Sequence, residues 1–322
     1  MKTRSTARML ALTEIGFGGS QIGNLYREVD DTTARGAVDA AWESGVRYFD
    51  TAPHYGLGLS ERRLGTALRS RPRDEYVIST KVGRLLVDNP DGVGRMDDGG
   101  FVVPATVRRE WDFSRDGILR SIDESLTRLG LDRIDIAYLH DPDEHWEAAS
   151  TTGVAALIEL REQGVLGAIG AGMNQTSLLV DFVEHCDIDV IMVAGRYTLL
   201  DDEAAEQLLP AAAERSIGVV AAAVYNSGLL SAPRPAVGTR YDYAEAPPEL
   251  VERAAAMADV AERHGVDLPT AAVSYPLRRP EISAVVAGMR TAEQVDSTLQ
   301  RYRTHVPEAM WAELISAGLI QR

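Results

Sequence analysis

Four polar side chains in this sequence could together carry out acid–base chemistry on a carbon–oxygen bond. Asp50 ends the apolar segment VRYFD, Lys81 ends YVISTK, His140 ends IDIAYLH, and Tyr55 follows five residues after Asp50. A free tyrosine loses its proton only near pH ~10, but an adjacent ammonium stabilises the phenolate and lowers its pKa. These residue types therefore predict a proton transfer to or from a substrate oxygen.

We predict a separate role for each of the four. Tyr55 would be the general acid when a carbonyl is reduced and, as phenolate, the base when an alcohol is oxidised. Lys81 would activate the phenol, Asp50 would keep the lysine charged, and His140 would orient the substrate oxygen. Taken alone, Asp50 would more readily be explained as a helix cap, Lys81 as a surface cation and His140 as a buried core histidine. Their occurrence in and just after three separate apolar segments favours a shared site.

Eight short apolar runs, rich in β-branched residues, predict the strands that position this site. Strands buried on both faces have this nearly continuous apolar character. They alternate with amphipathic helical patterns, and this alternation predicts one (β/α)8 TIM barrel domain over residues 1–322, with active-site residues at the C-terminal ends of the strands. The predicted strands are residues 14–19, 46–50, 76–81, 134–140, 166–172, 189–195, 217–223 and 283–288.

Local signals mark the ends of several predicted helices. Glycine is the usual left-handed residue after a helix, and it follows four of the helical patterns, as Gly45, Gly130, Gly164 and Gly265. Ser114 or Asp112 would cap the helix that leads into the fourth strand. Pro210 would kink its helix or shift the helix start.

Two connections are too long for simple turns and predict long loops on the C-terminal face of the barrel. They cover residues 82–112 and 226–247 and are rich in glycine, aspartate and aromatic residues. Long loops in a compact domain often cover a binding site, with surface decoration as the alternative. We expect these two to contact substrate or cofactor.

The composition excludes several classes of partner. The formal net charge is −15, from 33 Lys and Arg against 48 Asp and Glu, which disfavours nucleic acid and anionic membrane surfaces. Cys186 is the single cysteine, so no internal disulfide is possible and a reducing compartment is expected. We find no signal peptide pattern and no membrane-spanning run, and therefore expect a cytoplasmic protein.

Four segments around the chemical residues resemble the aldo-keto reductase superfamily. The resemblance extends from about Gly16 to about Thr298 and rests on FDTAPHYG at 49–56, STKVG at 79–83, RSIDESLTRLGLDRID at 120–135 and YLHDPD at 138–143. It implies the catalytic tetrad Asp50, Tyr55, Lys81 and His140. It also implies hydride exchange with NAD or NADP, bound across the barrel mouth without a separate Rossmann domain. The sequence agrees, since no predicted strand is followed by a complete G-x-G-x-x-G.

The same resemblance implies a set of cofactor-binding residues. Asn174 would hold the nicotinamide carboxamide, Tyr197 would stack on its ring, and the loop after the seventh strand would bind the pyrophosphate through backbone N–H groups. Arg290 would lie near the ribose, where it could pair with the 2′-phosphate of NADP. The full implied set is Asn174, Tyr197, Asn226, Ser227, Gly228, Gly288, Met289, Arg290 and Gln294.

Within the superfamily, segments such as GNLYR and RYTLLD resemble the branch of L-fucose and D-threo-aldose 1-dehydrogenases and pyridoxal 4-dehydrogenase. That branch implies oxidation of the cyclic hemiacetal of an aldose to a lactone, with conversion of pyridoxal to its lactone as the alternative. The candidates for substrate contact are Asn24, Tyr26, His54 and Asp141. Each of them has the alternative of a loop residue that is hydrogen-bonded to the backbone.

Two other classes of protein are compatible with these patterns. Some members of the superfamily bind NADP as regulatory subunits of membrane channels and can keep all four tetrad positions. A barrel hydrolase would need a carboxylate pair or a cluster of metal ligands, and neither is evident, so we predict no metal site. The expected partner is a small-molecule lactol, aldose or pyridoxal-like, and the sequence indicates no oligomeric state.

Overall fold

Eight parallel strands form a closed barrel. The computed structural model describes residues 1–5, 10–236, 238–242 and 244–321, and each barrel strand pairs with its neighbours in chain order. The strands are β1 (Ile15–Gly18), β2 (Tyr48–Asp50), β3 (Val77–Val82), β4 (Ile134–His140), β5 (Leu166–Met173), β6 (Val190–Ala194), β7 (Gly218–Ala222) and β8 (Ile282–Gly288). The predicted TIM barrel is confirmed, and no strand end differs from its prediction by more than two residues.

Helices cover the outside of the barrel. They are α1 (Asp31–Glu43), α2 (Leu59–Leu68), α3 (Arg115–Leu129), α4 (Val154–Glu162), α5 (Thr176–His185), α6 (Leu208–Glu214), α7 (Pro248–Arg263), α8 (Leu268–Ser274), α9 (Ala292–Arg303) and α10 (Glu308–Ser316). A short helical turn, Trp146–Ala148, and a π-helical turn, Ala149–Gly153, run directly into α4. Pro210 lies in the first turn of α6, where its missing N–H leaves no hydrogen bond unmade.

The predicted helix ends agree with the structure. The Ser114 hydroxyl accepts a hydrogen bond from the Gly117 amide and caps α3, whereas Asp112 accepts from the Ser114 amide, outside the helix. Gly130, which follows α3, has a φ of 64°, in the left-handed region where a side chain would be strained. The cap pattern read from the sequence thus marks this helix at both ends.

Two apolar layers hold the barrel together. The outer layer lies between strands and helices and includes Phe17, Phe49, Leu64 and Phe182. The inner layer fills the barrel and includes Tyr48 and Tyr138, both fully buried. A barrel of eight strands is filled by its own side chains, so a ligand can bind only at an end.

An N-terminal hairpin, which the sequence did not predict, covers one end of the barrel. Its strands, Thr3–Ser5 and Ala11–Thr13, pair antiparallel. Leu12 is fully buried and belongs to the inner apolar layer. Arg4 donates to the carbonyls of Arg279 and Ile282, at the start of β8, both over 2.8 Å. The amino-terminal end of the barrel is therefore closed, and the C-terminal end is left for function.

Both predicted long loops contain additional strands. In the first, Arg84–Asp88 pairs antiparallel with Val107–Trp111, and Gly100 accepts a hydrogen bond from the Tyr26 amide in the loop after β1, over 2.8 Å. In the second, Arg240–Tyr241 pairs with Ala244–Glu245; residues 237 and 243 of this loop lie outside the described ones. The first loop therefore folds back over the C-terminal end of the barrel.

Backbone strain is concentrated at this C-terminal end. Nine described non-glycine residues have a positive φ, and eight of them lie in loops that follow barrel strands. The exception is Ser216, which precedes β7. Such conformations cost energy and persist where the surrounding structure enforces them, which is often at functional sites. The eight are Asn24, Tyr26, Leu57, Asp141, Ala223, Asn226, Ser227 and Asp242.

Candidate active site

A buried ion pair forms the centre of the site. Asp50 ends β2, and the parallel register pairs it with Ser79 on β3, two residues before Lys81. The Lys81 Nζ donates to the Asp50 Oδ2 over 2.7 Å and to the Thr51 carbonyl over 3.0 Å. Both side chains of the pair are only 3% exposed. Charges this deeply buried need a close partner, and Asp50 and Lys81 are each other's counter-ion.

Tyr55 and His140 complete the group predicted from the sequence. The Lys81 Nζ lies 4.7 Å from the centre of the Tyr55 ring. The His140 ring is nearly perpendicular to the Tyr55 ring, at 5.8 Å between centres. The structure therefore brings all four tetrad residues together at the C-terminal ends of three neighbouring strands.

The electrostatics of the lysine and the tyrosine differ in part from the expectation. Burial acts to lower the pKa of Lys81, but the charges of Asp50 and Tyr55 and the hydrogen bonds to both together outweigh it, so the pKa is raised and the ammonium persists. Burial raises the pKa of Tyr55, and the charge of Lys81 offsets this only in part. Lys81 lowers the pKa of Tyr55, as expected, but the pKa as a whole is raised above its ordinary value. At neutral pH the free protein therefore holds Tyr55 as a neutral phenol.

Both histidines of the site are uncharged at neutral pH. Burial and the nearby cations, first among them Arg84, lower the pKa of His54 to about 2 and hold that of His140 well below its usual range. The His54 Nδ1 lies 3.4 Å from the Arg84 Nη1, and because a guanidinium only donates, this nitrogen accepts and the His54 proton is on Nε2. His140 can therefore act as a neutral hydrogen-bonding group.

A polar network behind Asp50 was not predicted. The Ser79 hydroxyl donates to the Asp50 Oδ1 over 2.7 Å, and also lies 3.1 Å from the Tyr48 hydroxyl. The Tyr48 and Tyr138 hydroxyls are 3.2 Å apart inside the barrel. Ser79 fixes one oxygen of Asp50 while Lys81 binds the other, so the carboxylate cannot rotate. Ser79 looks like an ordinary strand residue in the sequence, and only the register shows its contact.

A cavity of about 870 Å³ opens beside the tetrad. Among the residues that the structure describes, its wall carries two carboxylates, Asp50 and Asp141, and five cationic side chains, which leaves a surplus of three positive charges. The whole chain carries −15. The positive charge is thus collected where a ligand would bind, which favours an anionic group. The five cations are Arg27, Lys81, Arg84, Arg290 and Arg301.

Most of the predicted cofactor residues line this cavity, and three do not. Those on the wall are Asn226, Ser227, Gly228, Gly288, Arg290 and Gln294. Tyr197 is buried in the core, with its ring 5.6 Å from that of Tyr275, and Met289 is fully buried. Asn174 is half-buried and lies outside the wall, next to Met173, which does line it. The stacking of Tyr197 on a nicotinamide therefore stays a prediction.

The substrate candidates divide in the same way. Tyr26, His54 and Asp141 line the cavity. Asn24 does not: its side-chain amide donates to the Val102 carbonyl over 3.1 Å, and its oxygen accepts from Arg63 over 2.8 Å. Asn24 is therefore a loop residue whose side chain is hydrogen-bonded to the backbone, which was the alternative to substrate contact.

The cavity wall fits a dinucleotide. Asn226 Oδ1 is buried without a hydrogen-bond partner in the described part of the chain, although its residue lines the cavity. A Cβ atom at Gly288 would come within 2.9 Å of the Gln21 side chain, so a larger residue there would have to displace this side chain from the wall. Arg290 is tied across the wall to Gln21 and to the Leu25 carbonyl. An unsatisfied amide oxygen and a positive wall are suited to a polar, anionic ligand.

Three cations of the cavity were not identified from the sequence. Arg27 follows β1, Arg84 follows β3, and Arg301 lies in α9. They are far apart in the chain; closure of β8 onto β1 brings together the segments that carry Arg301 and Arg27, and Arg84 reaches the wall from the end of β3. A sequence pattern could have found them only through the loops after those strands, and these contain several other charged residues.

The family model described as "Aldo/keto reductase family" matches residues 14–318. The chain belongs to the aldo/keto reductase family. It is an oxidoreductase of a family that uses nicotinamide cofactors, as the resemblance implied. The chain is 46% identical to D-threo-aldose 1-dehydrogenase from Pseudomonas sp. over 319 residues, which cover 98% of this chain and 97% of that protein. It is 37% identical to pyridoxal 4-dehydrogenase from Microbacterium luteolum, covering 97% and 95%.

Solved structures agree with the assignment to the aldo/keto reductases. The holo form of aldo-keto reductase AKR11C1 from Bacillus halodurans superposes with a TM-score of 0.78 at 25% identity, covering 100% of this chain and 97% of that one. Glycerol dehydrogenase AKR11B4 from Gluconobacter oxydans, at 21% identity and a TM-score of 0.76, shares the fold. Across the described ranges, no helix combines the length and apolar character that crossing a membrane requires.

Proposed function

We propose that this aldo/keto reductase oxidises the cyclic hemiacetal of an aldose to the lactone, with NAD or NADP as the hydride acceptor. The observation that carries the proposal is a buried ammonium beside the Tyr55 phenol at the wall of a positively charged cavity. The substrate class is supported by the 46% identity to D-threo-aldose 1-dehydrogenase. L-fucose and sugars of the D-threo series are the first substrates to test.

Tyr55 would transfer the proton. In the oxidation the phenolate takes the proton of the anomeric hydroxyl while the hydrogen on the same carbon leaves as hydride, and the new C=O bond completes the lactone. A nicotinamide bound in the cavity would supply the hydride acceptor. Lys81 stabilises the phenolate, and Asp50, fixed by Ser79, keeps the ammonium charged. The neutral phenol of the free protein is the form required for the reverse reaction.

His140 would hold the reacting oxygen. It is neutral, so it can share a hydrogen bond with the substrate oxygen without competing with Tyr55 for the proton. Its ring forms a triangle with the rings of Tyr55 and His54, whose centres lie 5.8 Å and 5.4 Å from its own and 6.0 Å from each other. These rings restrict the position that a carbon–oxygen group can take next to the phenol, and positioning of this kind lowers the barrier.

Arg27, Arg290 and Arg301 would hold the cofactor's phosphates. Arg301 donates to the Tyr225 hydroxyl over 3.3 Å, next to the loop that contains Asn226, Ser227 and Gly228. Burial, and after it the neighbouring Arg27, lower the pKa of Arg290 to about 10, and an anion between these two arginines would relieve their repulsion. They are suited to the 2′-phosphate of NADP, whereas NAD would leave that charge uncompensated.

The experiment offers the protein NAD and NADP separately with L-fucose, several D-threo-aldoses and pyridoxal. We expect the absorbance of reduced nicotinamide to increase with at least one aldose, and NMR of the product to identify a lactone. Turnover of pyridoxal alone would replace the aldose by the alternative suggested by the 37% identical relative. Quenching of cofactor fluorescence with no turnover of any lactol, alcohol or aldehyde would favour a regulatory NADP-binding protein.

A further inference from the structure

The unassigned charged group of the reaction site is Arg84. It begins the hairpin strand Arg84–Asp88, immediately after β3 and Gly83. Gly83 has a φ of 99°, and a Cβ atom there would lie 2.1 Å from the ring of Phe113, so only glycine permits this bend. The bend brings Arg84 to the wall of the cavity that holds the tetrad.

Contacts on two sides hold the Arg84 guanidinium in place. Its Nη2 forms an ion pair with the Asp141 carboxylate, and its carbon lies 4.3 Å from the centre of the Trp111 ring, the residue opposite in the hairpin. The Arg84 side chain is 14% exposed. A planar cation between a carboxylate and an aromatic face is held in one orientation.

Arg84 has more hydrogen-bond donors than the protein satisfies. A guanidinium carries five N–H donors, and Arg84 makes two hydrogen bonds within the described residues, to Asp141 and to the His54 Nδ1. Its Nε is buried and unpartnered there. Unsatisfied donors of a buried cation are costly, and a ligand's oxygen atoms could accept from them.

Asp141 supplies the complementary acceptor. It follows His140 directly and has a φ of 41°, a strained conformation for a non-glycine residue. Its Oδ2 lies 3.6 Å from the His140 Nε2, and its side chain is 36% exposed. A carboxylate that faces the cavity beside the histidine can accept from a hydroxyl near the reacting carbon.

We propose that Arg84 and Asp141 together bind two adjacent hydroxyl groups of the sugar, Arg84 as donor and Asp141 as acceptor, and that they select substrates with a diol next to the anomeric carbon. This inference rests on the proposed function. Because Asp141 lies beside His140, which would hold the anomeric oxygen, the hydroxyls in reach are those on the next two carbons.

The local charge favours a neutral polyol over an anionic substrate. Lys81 is paired with Asp50, and Arg84 is paired with Asp141. An anionic substrate group would have to compete with Asp141 for the guanidinium. A pair of hydroxyls can instead donate to the carboxylate and accept from the guanidinium at the same time.

The test compares wild type, Arg84→Met and Arg84→Lys on an aldose and its 2-deoxy and 3-deoxy analogues. In the wild type, we expect the loss of either hydroxyl to lower kcat/KM about 10- to 100-fold, as for a hydrogen bond to a charged group. R84M should lower kcat/KM for the parent sugar by a similar factor. Its kcat/KM values for the parent sugar and for the deoxy analogues should differ little. R84K keeps a cation beside Asp141, so it should fold even if R84M does not, and it should also lose discrimination because it lacks the planar fork.

Arg108→Met is the matched control, because Arg108 lies on the same hairpin but pairs with Glu110 and is 54% exposed. It should behave as wild type. A second measurement is the pH profile of kcat/KM. Without Arg84, the Asp141 carboxylate next to His140 is no longer neutralised, so a new acid limb should appear in R84M. A purely structural role would leave the profile unchanged.

The outcomes separate this inference from the proposed function. If the wild type oxidises aldoses but the Arg84 variants lose activity equally on all sugars, or lose none, the pairing with a diol is overturned and the function stands. If the wild type oxidises pyridoxal or other lactols but no aldose, the aldose function is overturned and the role of the Arg84–Asp141 pair with it.

Discussion

The cavity has two groups of charges that are arranged in opposite ways. Near Tyr55 every cation has an anion: Lys81 is paired with Asp50, and Arg84 with Asp141. The remaining cations, Arg27, Arg290 and Arg301, have no carboxylate within ion-pair distance among the residues that the structure describes. We call these the reaction group and the arginine group. Paired charges suit chemistry on a neutral substrate, and unpaired ones suit a ligand that brings its own negative charge.

The two groups also differ in burial, and this difference has energetic consequences. Lys81 and Asp50 are almost inaccessible to solvent, so loss of one partner leaves the other buried and uncompensated. Arg27 is exposed, and Arg290 and Arg301 are half-buried, so water can solvate them when no ligand is present. We therefore expect changes in the reaction group to affect catalysis and stability, and changes in the arginine group to affect cofactor affinity.

The largest effect on catalysis should come from Tyr55→Phe. Removal of the phenolic oxygen abolishes the proton transfer, so kcat for lactol oxidation should fall about 10²- to 10⁴-fold. Cofactor binding should be unchanged, because the arginine group is intact, and fluorescence titration would measure this. A variant that retains more than a tenth of the wild-type kcat would show that another group transfers the proton.

Lys81→Met should produce a large loss of stability together with a loss of activity. It leaves Asp50 buried without its counter-ion, so the free energy of unfolding at neutral pH should fall by about 3–5 kcal/mol. Urea denaturation measures this. The double variant Asp50→Asn, Lys81→Met has no charge at either position and should recover part of the lost stability. Equal losses in the single and double variants would contradict the pairing.

A change in the arginine group should act on the cofactor alone. Arg301→Met should raise the KM for NAD or NADP about tenfold, the effect of losing one charged hydrogen bond, and should leave kcat nearly unchanged. Arg303→Met is the control, because Arg303 is exposed at the end of the same helix. A lower kcat with an unchanged KM in R301M would mean that the two groups do not have separate tasks.

The smallest effect that we expect is the dependence of kcat/KM for carbonyl reduction on pH. Because the pKa of His54 is lowered to about 2 and that of His140 lies well below its usual range, neither gains a proton in the usual histidine range. Carbonyl reduction needs the Tyr55 phenol, whose pKa is raised, so that form is also constant there. The kcat/KM for reduction should therefore change less than about twofold between about pH 5 and pH 8. A titration centred near pH ~6.5 would indicate a charged histidine in the site.

The barrel and the tetrad were largely predictable from the sequence, because both follow from local patterns. Strands buried on both faces have continuous apolar runs, and a polar residue at the end of such a run must lie at the rim. Asp50, Lys81 and His140 satisfied this rule. The N-terminal hairpin Thr3–Ser5 and Ala11–Thr13 was not predicted, because strands of three residues are too short to show an alternating pattern.

The arginine group was only partly predictable, because it depends on how loops face the cavity. Arg290 was implied by its motif, whereas Arg27 and Arg301 come from distant segments that closure of the barrel brings together. Tyr197 was implied to stack on the nicotinamide, and the sequence did not show that its ring also lies in the core beside Tyr275. A loop's length in the sequence does not determine which side of it is buried.

Because the hairpin closes the amino-terminal end of the barrel, thermal stability and substrate selectivity depend on opposite ends of the molecule. Arg4 and Leu12 tie the first residues to the barrel without contributing to the cavity wall. Screens for heat resistance should therefore accumulate substitutions at the amino-terminal end of the barrel. Screens for activity on new sugars should accumulate them in the loops at the C-terminal end. An engineer could combine the two sets with little interference.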